Sequence, residues 1–129
     1  MGLATAQLLA SRGATISLAD LNEEGLRVAV NSLPDANRHM YTAVDVRNSK
    51  SVNQWISLTV DRLGKLDGAV NMAGIITPAS PVTEETDEHW DLTFDVNTKG
   101  VFHCLRAELR AMSSGGSIVR ALPQRMSTH

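Results

Sequence analysis

The chain has 129 residues, 43% of them hydrophobic, which suits one globular core and is too little for two domains. Twelve Lys and Arg stand against 14 Asp and Glu, a net charge of −2, so there is no basic footprint for nucleic acid or for an anionic membrane. The single cysteine, Cys104, excludes an internal disulfide, and no apolar run reaches the ~20 residues a membrane helix needs.

The start, Met1 to Gly13, lacks the basic opening and long apolar core of a signal peptide. Ala6 stands where a myristoylation motif needs Ser or Thr. The expectation is a cytoplasmic protein with no nucleic-acid or membrane partner.

Leu3 to Arg12 has helical spacing, with Leu8, Leu9 and several alanines on one side, and Gly13 follows as a C-cap. Ala14–Asp20 is a short apolar, β-rich run that reads as a buried strand. Asn22 can cap a second helix through about Leu33, with Glu23 and Glu24 in its first turn and Pro34 and Asp35 ending it. Met40–Val46 is the next strand. Asn48 or Ser49 caps a third helix from Lys50 to Leu63, which Gly64 stops. Leu66–Gly74 forms strand three, and a loop with Pro78 and Pro81 follows.

A long helix is expected from Asp87 to Met112, carrying Trp90, Leu92, Phe94, Val96, Val101 and Leu105. Glu84, Glu85, Asp87 and Glu88 favour its N-terminus. Gly115–Val119 opens a fourth strand, and residues 120–129 have no clear pattern. Apolar strands alternating with helices predict an α/β fold, a doubly wound parallel sheet covered on both faces, within one domain.

In such sheets ligands bind beyond the carboxyl ends of the strands. That rule selects Asp20, Asp45 and the exit Asn71-Met72-Ala73-Gly74, each one βα unit from the next. Two readings are open for Asp20. Its carboxylate can accept hydrogen bonds from both hydroxyls of an adenosine ribose and repel a 2′-phosphate, favouring NAD over NADP. It can equally be a turn-forming Asp before Asn22. Gly2 lies 18 residues before Asp20 and opens a helix, where a glycine lets backbone approach a pyrophosphate. Asn97 competes with its own helix for backbone hydrogen bonds, and Gly100 weakens the same stretch.

His39, His89 and His103 have no partners at metal-ligand spacing, so no metal site is expected. His103 and Cys104 read as helix-packing residues, and Trp55 and Trp90 as core.

Taken in order, these segments resemble the short-chain dehydrogenase/reductase family over residues 2–119. "GLATAQLLASRGA" resembles the helix after that family's TGxxxGIG loop, which implies that Gly2 and Leu3 border the cofactor. "LADLN" resembles its second strand exit. "AVDV" resembles its third, which implies that the Asp45 side chain and the Val46 amide contact adenine. "NMAG" resembles its NNAG motif, with Met72 in place of the second Asn. There the resemblance implies that Asn71 braces neighbouring backbone while Ala73 and Gly74 let the chain pass close to a ribose. "HWDLTFDVNTKGVF" resembles its long fourth helix, with Asn97 at the catalytic Asn that sits at a helix distortion and holds a relay water. "GGSIV" resembles its fifth strand.

By this resemblance the chain is an incomplete Rossmann-like domain of an oxidoreductase. It would move hydride between NAD, with NADP as the alternative, and an alcohol or carbonyl substrate. The family's Ser would fall near Leu122 or Pro123, Ser127 is out of register, and the only tyrosine, Tyr41, has no Tyr-x-x-x-Lys context. Both ends therefore read as clipped, from a late start and from a frameshift, retained intron or early stop, with an aberrant tail over 120–129 and no turnover expected. The first strand is expected to be missing from between the strands ending at Asp20 and Asn71, leaving two inner edges that could pair directly. The rival expectation is a non-catalytic nucleotide-binding fragment, or one that forms a homo-oligomer through the long fourth helix.

Overall fold

The computed structural model describes residues 1–121. In chain order its elements are α1 (Gly2–Ser11), β1 (Ser17–Asp20), α2 (Glu23–Asn31), β2 (Met40–Ala43), α3 (Ser49–Leu63), β3 (Gly68–Asn71), α4 (Asp87–Phe94), α5 (Val101–Ala111) and β4 (Ser117–Arg120). A π-helical segment, Asp95–Gly100, joins α4 to α5.

Local chemistry sets most of these boundaries. The Asn22 side chain accepts from the Gly25 amide at 3.0 Å and starts α2, and Asn48 accepts from Lys50 at 3.0 Å and starts α3. Thr86 caps α4 by accepting from the His89 amide. Gly64 ends α3 at φ 87°, a left-handed conformation that glycine adopts without a Cβ clash.

Both strand pairs among the described residues are parallel. β1 pairs with β2 from Ser17–Met40 to Asp20–Ala43, and β3 pairs with β4 from Gly68–Ser117 to Asn71–Arg120. β1 and β3 do not pair with each other, so the two inner edges stay apart.

Alternation along β1 divides the core. Ile16 and Leu18 face a cluster of Ala6, Ala10, Val30 and Leu33 beneath α1 and α2. Ala19 faces the opposite cluster of Val44, Val52, Ile56, Cys104 and Ala107 beneath α3 and α5. Ser17 shares that second face, where its hydroxyl accepts from Trp55 Nε1 at 2.9 Å and bonds Thr59 at 2.8 Å. Helices on both faces of β1–β2 make the fold doubly wound, as the sequence predicts.

Several details differ from expectation. The strands are shorter, spanning Ser17–Asp20 and Met40–Ala43, with Ile16 and Val44 making the last hydrogen bonds at either end of the ladder. α1 buries the small side chains Ala6 and Ala10, while Leu8 and Leu9 are exposed. β3–β4 is not buried on both faces: α5 lies against one, and Val70 and Val119 are exposed on the other. The long helix is not uniformly α-helical, since the π segment interrupts it. Trp90 is not core; it is 56% exposed and stacks on Phe94 at 4.6 Å between ring centroids. Arg120, assigned to the patternless tail, continues β4 opposite Asn71. The positions weighed for the family's Ser, Leu122, Pro123 and Ser127, lie outside the described residues.

Candidate functional site

The carboxyl ends of β1, β2 and β3 lead to the residues singled out in the sequence. At the first exit, Asp20 ends β1 with an exposed carboxylate. Its Oδ1 accepts from the Asn22 amide at 3.1 Å, so the turn-forming role is present while the side chain still reaches solvent.

At the second exit, the Val44 amide donates to the Asp20 carbonyl at 2.8 Å, which ties the two exits together. The Asp45 amide donates to Ser51 Oγ at 3.1 Å. The Asp45 carboxylate is taken by Arg47, through Nε at 3.0 Å and the terminal guanidinium nitrogen at 2.8 Å. Those hydrogen bonds hold the Asp45 carboxyl below the usual carboxylate range. The adenine-facing carboxylate expected at this position is thus already engaged by a cation. The Val46 carbonyl accepts from His103 Nδ1 at 2.8 Å, which fastens this exit to α5. Gly100 lies beneath Val46, where an added Cβ would come within 2.7 Å of the valine Cγ2.

At the third exit, Asn71 ends β3 and is buried. Its Nδ2 donates to Glu108 Oε2 at 2.8 Å. The bracing partner is therefore a carboxyl on α5, not the neighbouring backbone that the resemblance implies. Four residues on, the Ile75 amide donates to Asn97 Oδ1 at 2.8 Å, and Asn97 Nδ2 donates to the Ile75 carbonyl at 2.9 Å. Asn97 sits in the π segment, where the helix backbone gives up its regular bonding. The Asn97 carbonyl accepts from the Arg120 guanidinium at 3.3 Å.

The start of α1 lies beside this third exit. A Cβ built on Gly2 would stand 3.8 Å from Met72 Sδ, an ordinary contact. Leu3 is exposed on the same first turn, and the Met1 carbonyl accepts from the Thr5 amide at 3.0 Å. Ala73 is exposed and Gly74 half-buried. The structure thus brings together Gly2 with Met72, Asp20 with the β2 exit, Asn71 with Glu108, and Ile75 with Asn97.

Glu108 escaped the sequence reading. It is fully buried, and burial raises its pKa while the Asn71 bond pulls the other way. Its Oε1 has no hydrogen-bond partner among the described residues. The signal was available: Asn97, Val101, Cys104 and Glu108 lie at i, i+4, i+7 and i+11, so an acid sits on the buried stripe of a helix. Burial, followed by the Glu108 charge, pushes the Cys104 thiol up to about 12, which leaves it an inert packing group. Among the described residues, no group of three His, Cys, Asp or Glu side chains could hold a metal ion, and no helix is long and apolar enough to cross a membrane.

A model of the enoyl-(acyl carrier protein) reductase family matches residues 1–122. The chain is 40% identical over 124 residues to short-chain dehydrogenase/reductase ABA4 of Pyricularia oryzae, covering 92% of this chain and 46% of that protein. It is 36% identical over 126 residues to chanoclavine-I dehydrogenase easD of Arthroderma benhamiae, covering 91% of this chain and 51% of that protein. A solved short-chain dehydrogenase/reductase, a glucose/ribitol dehydrogenase from Brucella melitensis, is similar with a TM-score of 0.85 and 31% identity, covering 93% of this chain and 52% of that one. The chain spans about half the length of the curated relatives it matches.

Proposed function

This chain belongs to the short-chain dehydrogenase/reductase family, and from that premise we propose that it forms the cofactor-binding part of an NAD(P)-dependent oxidoreductase acting on a small alcohol or carbonyl compound. One observation carries the reading. The segment Met72–Gly74, free of bulky or charged side chains at Ala73 and Gly74, is held between Asn71 and Ile75 beside the first turn of α1.

The donor set fits a dinucleotide. The amides of Gly2 and Leu3 in the first turn of α1, without a hydrogen-bond partner among the described residues, suit a pyrophosphate. The exposed Asp20 carboxylate suits the adenosine ribose and favours NAD. At the second exit the Val46 amide makes no hydrogen bond among the described residues and is the open donor toward adenine, while Arg47 competes for Asp45. Asn71, Ala73 and Gly74 would border the second ribose. When bound, the nicotinamide supplies the hydride chemistry. Asn97 is the residue proposed to hold a relay water. Its side chain is engaged by Ile75, so the acceptor it offers is the second lone pair of the backbone carbonyl that also accepts from Arg120.

The family's Ser and Tyr-x-x-x-Lys do not occur in register in the sequence, so this polypeptide alone is proposed to bind cofactor without turnover. Titration of the chain into NADH, read by nicotinamide fluorescence, tests the binding claim. Saturable enhancement that weakens in Asp20→Ala is expected; no enhancement for NADH or NADPH removes the reading. Alcohol-dependent reduction of NAD by the chain would remove the second claim.

Exposed aromatic surface along the run α4–α5 favours a further reading. Trp90, Phe94 and Phe102 are all exposed, and the first two stack. A homo-oligomer through this run is proposed alongside cofactor binding. Sedimentation velocity should then show a dimer that Trp90→Ala weakens, and a monomer at all concentrations contradicts it.

A further inference from the structure

We propose that Glu108 is a positioning residue for the β3 exit: it and Asn97, two side chains of one continuous helical run, clamp the segment Met72–Gly74 at both ends. The proposal rests on the cofactor reading above, which gives that segment its use.

Asn71 and Ile75 are the residues that flank Met72–Gly74. Asn71 is held by Glu108 through Nδ2 and Oε2 at 2.8 Å. Ile75 is held by Asn97 through two bonds, at 2.8 and 2.9 Å. Asn97 and Glu108 are eleven residues apart, about three helical turns, which returns them to one face. The helix therefore reaches the strand exit twice, and the three residues between the anchors are tied at both ends.

Packing alone does not explain an acid at position 108. The side chain is completely buried, and among the described residues its Oε1 is unpartnered and no cation is bonded to it. An apolar side chain of similar volume would fill the space without desolvating a carboxyl. The one hydrogen bond the acid makes goes to Asn71, and it fixes the rotation of that amide at the end of β3. Burial favours the uncharged carboxyl, which can still accept from Nδ2.

Residue-resolved amide hydrogen exchange on the chain and its Glu108→Leu and Glu108→Gln variants tests the clamp. The Ile75 amide reports on the Asn97 anchor, and the Ala121 amide, which donates to the Asn71 carbonyl at 3.0 Å, reports on the Asn71 anchor. The Val44 amide, bonded to the Asp20 carbonyl in the other sheet, is the control. Glu108→Leu should speed exchange at Ile75 and Ala121 by about tenfold relative to Val44, and Glu108→Gln should restore both to within about twofold. Equal acceleration at all three amides, no acceleration at Ile75, or a Gln variant that behaves like Leu overturns the proposal. Should Glu108→Leu fail to fold, Asn71→Ala cuts the same anchor from the strand side, and its Ile75 amide must show the same selective rise.

NADH titration of the same variants separates this proposal from the reading beneath it. If the unaltered chain does not bind NADH while the exchange pattern holds, the cofactor reading falls and the clamp stands. If NADH binds equally well to the unaltered chain and to Glu108→Leu, the positioning role is overturned. Weaker binding in Leu with rescue in Gln supports both.

Discussion

Asn97 and Ile75 exchange a pair of hydrogen bonds, amide to Oδ1 at 2.8 Å and Nδ2 to carbonyl at 2.9 Å. An asparagine inside a helix ordinarily competes with that helix for backbone partners. Here the π segment turns the competition outward, and the side chain satisfies both backbone groups of a residue just past β3. The helix break and the strand exit are therefore one structure.

Asn97→Ala should remove both partners of Ile75 at once. A buried backbone group left without its hydrogen bond costs ~1–3 kcal/mol. Urea unfolding should show a lower midpoint with an unchanged slope, because the surface exposed on unfolding stays the same. An unchanged midpoint would mean that water replaces Asn97 at no cost.

Glu108 makes stability depend on pH with a definite sign. Its folded pKa is raised by burial above the unfolded value of ~4.3. The folded state then binds more protons than the unfolded one in the window between the two values. The contribution of Glu108 is greatest below the unfolded value and is lost as pH rises through the raised folded value. Glu108→Gln cannot ionise, so its stability relative to the unaltered chain should increase with pH across that window and then level off. Parallel stability curves from pH 4 to 8 contradict this.

Gly100→Ala should be more damaging than a helical Gly-to-Ala change usually is. Helix propensity alone would favour alanine by ~1 kcal/mol. The added Cβ would meet Val46 Cγ2 at 2.7 Å and the Asp95 carbonyl at 3.3 Å. Overpacking of this kind costs ~1–3 kcal/mol and should outweigh the propensity gain. The expected result is a lower unfolding midpoint, partly restored by Val46→Ala in the double variant. A stabilised Gly100→Ala protein contradicts the packing at the β2 exit.

Much of this was legible in the sequence. Short apolar β-rich runs, Asn caps and glycine stops mark the elements, and the rule that sites lie beyond strand ends selects Asp20, Asp45 and Asn71. Asn97 stands out as an asparagine in mid-helix, three residues before a weakening glycine. The rest depends on tertiary packing. Glu108 looks like one more charge on a helix until its stripe is seen to be the buried one. Trp90 looks like core until α4 is seen to lie at the surface. The bond from Asn71 to Glu108, not to neighbouring backbone, joins residues 37 positions apart, which no local pattern encodes. The Arg47 grip on Asp45 pairs an exposed guanidinium with a half-buried carboxylate, a choice of rotamers that sequence does not encode.

The central claim is that this chain binds a nicotinamide dinucleotide at the carboxyl ends of its strands. Thermal unfolding of the chain with and without NAD tests it most directly. At 100 times its dissociation constant a ligand adds ~2.7 kcal/mol to stability, so the midpoint should rise by several degrees and do so less in Asp20→Ala. An unfolding curve unmoved by millimolar NAD and NADP would contradict the account.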